Sequence, residues 1–319
     1  MKQQQGVALI TILVMVALGT ILAATIAKRQ AYSTQNTAYI MRQNQALLYG
    51  QSAEAFFVEL LKDDLEQASE VDHLQEIWAQ PLPAFPIEDG AVQGYLQDES
   101  GKFNLNSLLN EDGSIHVASQ NLFERLLVRV GLAPQLVEAV IDWQDAGEQT
   151  LGAMGAERSY YQGRNQTALP SNGLFHHIDE LKLVRGFEGQ NFEKIRPFIT
   201  VHPERKTQIN INTAPTMLLA SIDEQISETA VAQLLEEKNK NFEYFKDVSE
   251  LWQNSTFTGL SEERKTAVAP LFGVTSQHFK AFIHVTLSDR TRYLQSDIIR
   301  KDKNVLVLQR QLLPFKLPD

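Results

Sequence analysis

Residues 7 to 27, VALITILVMVALGTILAATIA, carry no charged side chain, and their only polar side chains are Thr11, Thr20 and Thr25. At about 1.5 Å rise per residue, a helix of this length spans about 30 Å, the hydrocarbon thickness of a bilayer. The run predicts one transmembrane helix. A cleavable secretory signal usually has a shorter apolar core, a more basic start and a small-x-small site at its end. The stretch ILAATIAKRQ offers such a site near Ala24 to Ala27, but the length of the run favours retention of the helix. Charge gives a conflicting orientation. Lys2 precedes the run while Lys28, Arg29 and Arg42 come after it, which by the positive-inside rule weakly favours a cytoplasmic body.

The helix does not stop at the membrane. No proline occurs before Pro81, and Ala46, Leu47, Ala53, Phe57, Leu61, Leu65 and Ala68 recur at helical spacing. One long helix is expected, apolar first and amphipathic later. The 319-residue chain is 43% hydrophobic and 21% charged, a globular composition. Its 39 acidic against 29 basic residues give a net charge of -10, which repels phosphate backbones and argues against a nucleic-acid partner. With no cysteine, disulfides, thiolate nucleophiles and cysteine-ligated metals are excluded, so any metal must take oxygen or imidazole ligands.

After the proline-dense PLPAFPIEDG (81 to 90), Val92 to Gln97 reads as a strand, DESG as a turn and Lys102 to Asn106 as a returning strand, together a hairpin. Between Leu122 and Trp143 two helical pieces are divided by Gly131 and Pro134. Further helical pieces are expected at Ile178 to Val184, Glu188 to Ile195, Ala214 to Ile222, Glu228 to Lys238 and Val248 to Trp252. Two stretches echo each other, FNLNSLL (103 to 109) and ININTAP (209 to 215), each an extended piece ending in an Asn-x-Asn-Ser/Thr unit suited to cap the next helix. At the C-terminus, Phe279, Ala281, Ile283, Val285 and Leu287 alternate onto one face, and RYLQSDIIR and NVLVLQRQ complete a three-stranded meander. Strands before and after a helical block predict an α+β fold: a long N-terminal helix packed on a small antiparallel sheet, with a large inserted α-helical domain.

The leader ending in Gly6, the apolar helix beginning at Val7 and its amphipathic continuation resemble a type IV prepilin-like protein. That resemblance implies cleavage between Gly6 and Val7 by a prepilin peptidase, N-methylation of Val7 and packing of the helix into a filament. The common glutamate at the fifth mature position is here Thr11. A carboxylate in the bilayer is costly unless paired, and in the family it is thought to pair with the amine of a neighbouring subunit. A subunit without it resembles the K-class minor pseudopilin of type II secretion. The phrases GKFNLNSL, VIDWQDAGE, GAERSYY, IDELKLVRG and ININTAP resemble characteristic stretches of that class, in the same order.

The division this implies is a leader (1–6), a transmembrane helix (7–27), the pseudopilin helix and first strands (28–106), an inserted helical domain (107–273) and C-terminal strands completing the sheet (274–319). The resemblance also implies a place at the pseudopilus tip, helping to initiate its assembly and protein export, with I-class and J-class minor pseudopilins and other pseudopilus subunits as partners. The protein is expected to be anchored in the inner membrane with its body in the periplasm.

Asp142 and Asp145 lie three apart near a helix end, with Glu148 beyond them in a loop containing Gly147 and Gly152, and Glu157 further on. Hard oxygen ligands on a flexible loop suit calcium, but the residues alone favour a solvated acidic loop, with no EF-hand spacing present. The resemblance implies calcium here, with Asp145, Glu148 and Glu157 as ligands and Asp142 next. The seven histidines form no metal pattern, and neither a phosphate loop nor a Gly-x-Ser-x-Gly elbow is present, so an enzyme is not expected. The stretch 211 to 252 resembles a helix-hairpin-helix unit, the basis of a rival reading as a membrane-anchored DNA-uptake receptor; a minor pilin of a related filament is a further alternative. Asp223 and Glu224 stand where such hairpins place phosphate-facing glycines, which disfavours DNA.

Overall fold

A computed structural model describes residues 5–67, 71–163, 169–288 and 290–313. Leader residues 1–4, Ala68 and the tail 314–319 lie outside the described residues. Helix α1 (Gln5–Glu66) runs unbroken for 62 residues, about 93 Å. Its first part stands free, with every residue from Val7 to Arg42 exposed. From Gln43 onward one face turns inward: Ala46, Phe57 and Leu61 are buried at the spacing the sequence predicts.

Strands β1 (Phe85–Ile87) and β2 (Gly90–Asp98) come next and pair antiparallel. The expected hairpin partner of β2 does not return along it. Instead β3 (Phe103–Asn104) pairs in parallel with a distant strand β4 (Ile199–Thr200). The turn after β2 is real, but it hands the chain into the helical block.

The first part of that block contains α2 (Val117–Arg129), α3 (Leu136–Gln144), α4 (Arg158–Gly163) and α5 (Gln190–Ile195). Gly131 divides α2 from α3 in a left-handed conformation, φ 75°. The expected helix at 178 to 184 is a 3₁₀ helix (Ile178–Leu183), its N-terminus tightened by a capping box between His177 and Glu180. The second part starts with β5 (Ile209–Asn210), continues through α6 (Thr216–Ala220), α7 (Glu228–Lys240), α8 (Val248–Gln253) and α9 (Glu262–Val268), and closes with β6 (Phe272–Gly273), parallel to β5.

The chain then returns to the sheet as β7 (His278–Leu287), β8 (Arg290–Lys301) and β9 (Asn304–Leu313), the expected meander. The sheet order is β1-β2-β7-β8-β9, antiparallel throughout. Each alternate residue of β7 from Phe279 to Leu287 is buried, and these side chains form one hydrophobic core with Phe57, Leu61, Trp78, Leu96 and Leu294. The helical block has a second core of its own, built around Phe103, Phe123, Trp143 and Tyr161.

The echo seen in the sequence is structural. Asn106 donates to the carbonyl of Phe175 and accepts from its N–H, while Asn212 does the same with Phe245. In both parts of the block, a short parallel pair leads into an asparagine that satisfies both main-chain groups of a buried phenylalanine.

Buried polar groups fasten α1 and the block to the sheet. Arg300 on β8 binds Asp64 of α1 and Asp72 of the linker beyond it, each at 2.6 Å. Arg310 on β9 binds Glu54 of α1 through two nitrogens, both at 2.6 Å. Asp98, at the end of β2, accepts hydrogen bonds from Thr213, Ser276 and the Ser100 N–H, and burial pushes its carboxyl up to about 6.

Candidate functional site

Two regions of the chain carry residues singled out by chemistry: the acidic loop after α3 and the free half of α1. The sequence DWQDAGEQTLGAMGAE leaves α3 at Asp145 and re-enters helix at Arg158. Asp142 projects from the last turn of α3 and is fully buried. Its two oxygens accept from the Leu151 N–H at 3.1 and 3.2 Å, which folds the loop back over the helix end. Asp145 accepts from the Gly147 N–H at 2.7 Å, an Asx turn that starts the reversal. Glu138, one turn earlier, accepts from the Met154 N–H at 2.7 Å. A Cβ on Gly155 would collide with the Asp142 carboxylate and the Leu151 main chain, so glycine is required for the loop to close.

This folding brings one oxygen each of Asp142, Asp145 and Glu157 within 4.8 Å of one another. Glu148 lies on the exposed arc of the same loop, outside that group. Burial pushes the Glu157 carboxyl up to about 7, reinforced by the charges of Asp142 and Asp145. Burial likewise raises Asp142 to about 6, against the opposing hydrogen bond from Leu151. One oxygen of Glu157 is buried with no hydrogen-bond partner. Three carboxylates with an orphaned buried oxygen are a poor arrangement for an empty loop at neutral pH and a good one for a hard cation.

Asp64, Asp72 and Glu76 come equally close to one another. There the Arg300 guanidinium already bridges Asp64 and Asp72, so this second group is an ion-pair network. A pairing that the histidine spacing could not reveal is the stack of His202 on His278, ring centroids 3.7 Å apart, where the block meets the sheet. Burial holds both imidazoles below their ordinary value.

The free half of α1 is satisfied internally. Thr11 donates to the Val7 carbonyl, Thr20 to Ala17 and Thr25 to Ile21, each at 2.8 Å. No threonine hydroxyl of the apolar run therefore needs a partner from outside, which suits a hydrocarbon environment. Among the described residues, α1 is long and apolar enough to cross a membrane, and its most apolar stretch is wholly exposed. The α6–α7 turn, where a DNA-binding hairpin would present its backbone to phosphate, is engaged within the molecule. Arg125 donates to the Ser221 carbonyl, Arg129 to those of Asp223 and Ile226, and Arg264 pairs with Asp223.

An exposed apolar helix that continues onto an antiparallel sheet defines a pilin-like protein, here enlarged by a helical insertion. Family models described as Type II secretion system (T2SS), protein K match residues 101–204 and 209–275, the two halves of the insertion. Type II secretion system protein K of Pseudomonas aeruginosa is 30% identical over 328 residues, covering 99% of this chain and 95% of the relative. That of Aeromonas hydrophila is 27% identical, covering 98% and 97%. Among solved structures, a chain of the GspK-GspI-GspJ complex from the enterotoxigenic Escherichia coli Type 2 Secretion System matches with a TM-score of 0.78 at 22% identity, over 88% of this chain and all of that one. The chain belongs to the type II secretion system protein K family.

Proposed function

We propose that this protein is the minor pseudopilin at the tip of the type II secretion pseudopilus, where it helps to initiate assembly and supports export across the outer membrane. The observation that carries the placement is Thr11. At the fifth position after Gly6 it offers a hydroxyl satisfied by Val7, where a subunit within the shaft needs a carboxylate for the amine of its neighbour. The bulk of the helical insertion, residues 107–273, supports the same position, because it is too wide to repeat along a tightly packed shaft.

In this reading residues 1–6 are removed by the prepilin peptidase and Val7 is methylated. Residues 7–27 anchor the chain in the inner membrane, and the body occupies the periplasm. The role is structural and not enzymatic. The partners are the I-class and J-class minor pseudopilins, bound through parallel N-terminal helices whose exposed apolar faces no single chain satisfies. Calcium bound by Asp142, Asp145 and Glu157 would neutralise the three carboxylates and hold the loop closed on α3, with Glu148 on the exposed arc contributing through water. N-terminal sequencing of the protein from membranes tests the processing. A methylated Val7 is expected, whereas an intact Met1 or a start near Lys28 would overturn it.

A further inference from the structure

We propose that the stack of His202 on His278 is an acid-released latch between the helical insertion and the sheet: uncharged, the rings hold the two parts together, and proton uptake frees the insertion to lift from the sheet. The latch joins two parts of one chain and stands independently of any place in a filament.

The sheet and the insertion each close a hydrophobic core of their own. Parts that meet without a shared apolar core are free to move relative to one another once their polar contacts give way. Between them lies a cavity of about 280 Å³, with Thr200, Val201 and Pro203 on the insertion side and Lys280, Asp297 and Ile298 on the sheet side. The stacked rings line the same cavity, their centroids 3.7 Å apart and their planes 16° from parallel. Each ring is fixed to its own part. The His202 N–H donates to Asn104 Oδ1 and its carbonyl accepts from Asn106, so this ring travels with the insertion. His278 stands opposite Ile299 in the β7–β8 register and belongs to the sheet.

The surroundings accept one proton and resist a second. Both rings are buried. His278 Nε2 lies 3.2 Å from a Glu204 oxygen, which favours charge on that ring, whereas His202 Nε2 is buried with no hydrogen-bond partner. A second imidazolium would stack directly on the first, with the charges of Lys280 and Lys102 also bearing on it. The carboxylates that face the pair each have a cation already: Glu99 has Lys102, Asp297 has Lys280 and Glu204 has Lys301. From the insertion, Arg196 adds positive charge toward Lys280, and His176 lines the cavity wall. Asp98, bound by Thr213 and Ser276 where the chain crosses between the two parts, stays buried whether or not the insertion lifts and does not enter the balance.

Burial, together with His278 and the two lysines, holds His202 well below its ordinary value, and burial lowers His278 against the pull of Glu204. Lifting admits water and returns both rings to about 6.5. The lifted form thus binds protons that the closed form refuses. The contact is intact above about pH 6.5 and weakens as pH falls below it.

The chain has no cysteine, so K206C on the insertion and K303C on the β8–β9 turn, both exposed positions, give one pair of spin labels on the full-length protein in detergent. Their distance distribution is measured by double electron–electron resonance at about pH 7.5, 6.5 and 5.5. A longer component is expected to grow in acid, its ratio to the closed component rising up to about thirtyfold between pH 6.5 and 5.5, the limit for two imidazoles. H202Q or H278Q alone should bring that limit to about fivefold, and the two together should abolish the pH dependence. A distribution that does not change between pH 7.5 and 5.5 would overturn the latch, and the labelled parent protein decides this even where a variant does not fold. Acid lengthening that persists in the double variant would also overturn it, as would a longer component that appears only with loss of helical circular dichroism, the mark of whole-chain unfolding.

Discussion

Glu157 and Asp142 set the behaviour of the acidic loop. Both carboxyls are raised, to about 7 and about 6, from ordinary values of 4.5 and 3.8. Without metal, the folded chain binds these protons more tightly than the unfolded chain does. Their contribution to stability is fully present below about pH 4 and is lost as pH rises through about 6 and then 7. Under the proposed calcium binding a cation would replace the protons, so calcium and acid would compete for the same oxygens. The difference in melting temperature between calcium and chelator is therefore expected to be several degrees at about pH 8 and to shrink toward about pH 5. Glu157→Gln or Asp142→Asn should abolish it, whereas Glu148→Gln should leave most of it. Differential scanning calorimetry across that range checks all three. The loop is legible as oxygen-rich from its sequence alone. Which carboxylates meet is not, because Glu148 and Glu157 differ only in how the Asp142–Leu151 hydrogen bond folds the chain between them.

At the scale of elements, α1 is joined to the sheet by apolar packing and by ion pairs spanning most of the sequence. Arg300 stands 236 residues from Asp64 and 228 from Asp72. Replacing Arg300 with alanine strands Asp72 buried and unpaired, and is expected to cost about 3–5 kcal/mol. By contrast K240A, which breaks an exposed pair with Glu236, should cost less than about 1 kcal/mol. Urea unfolding monitored by circular dichroism separates the two.

The same distances explain which elements are legible in the sequence. Helix α1 and strand β7 emerge from periodicity, because each buries one regular face. The strand expected to return at 102 to 106 pairs elsewhere, because a short extended stretch carries no mark of its partner; Phe103 pairs with Ile199, far along the chain. The 3₁₀ form of 178 to 183 likewise depends on a capping box whose tightening effect the apolar pattern does not register. The Asn-x-Asn echo is legible because its chemistry is local at one end, the asparagine, and generic at the other, a main-chain amide.

The whole molecule has two cores with different tasks. One seats α1 on the five-stranded sheet, and the other closes the helical insertion on itself. What neither core covers is the free half of α1, where Leu9, Ile10, Leu13, Leu18, Ile21 and Leu22 are each about 60% exposed. In water that surface would drive aggregation; in a bilayer, or against parallel helices of partner subunits, it is satisfied. The overall architecture of a long apolar helix, an antiparallel sheet and a set of helices is legible because an uncharged 21-residue run and two strand regions flanking a helical one leave few alternatives. The stack of His202 on His278 is not, because the two rings meet only where the helical block closes on the sheet. The proposed function has this chain complete a tip complex with I-class and J-class minor pseudopilins. It is tested most directly by coexpressing the three full-length chains, purifying through a tag on this one and measuring the mass of the complex by multi-angle light scattering in detergent. A single species containing one copy of each chain is expected; recovery of this chain alone, with both partners in the unbound fraction, would contradict it.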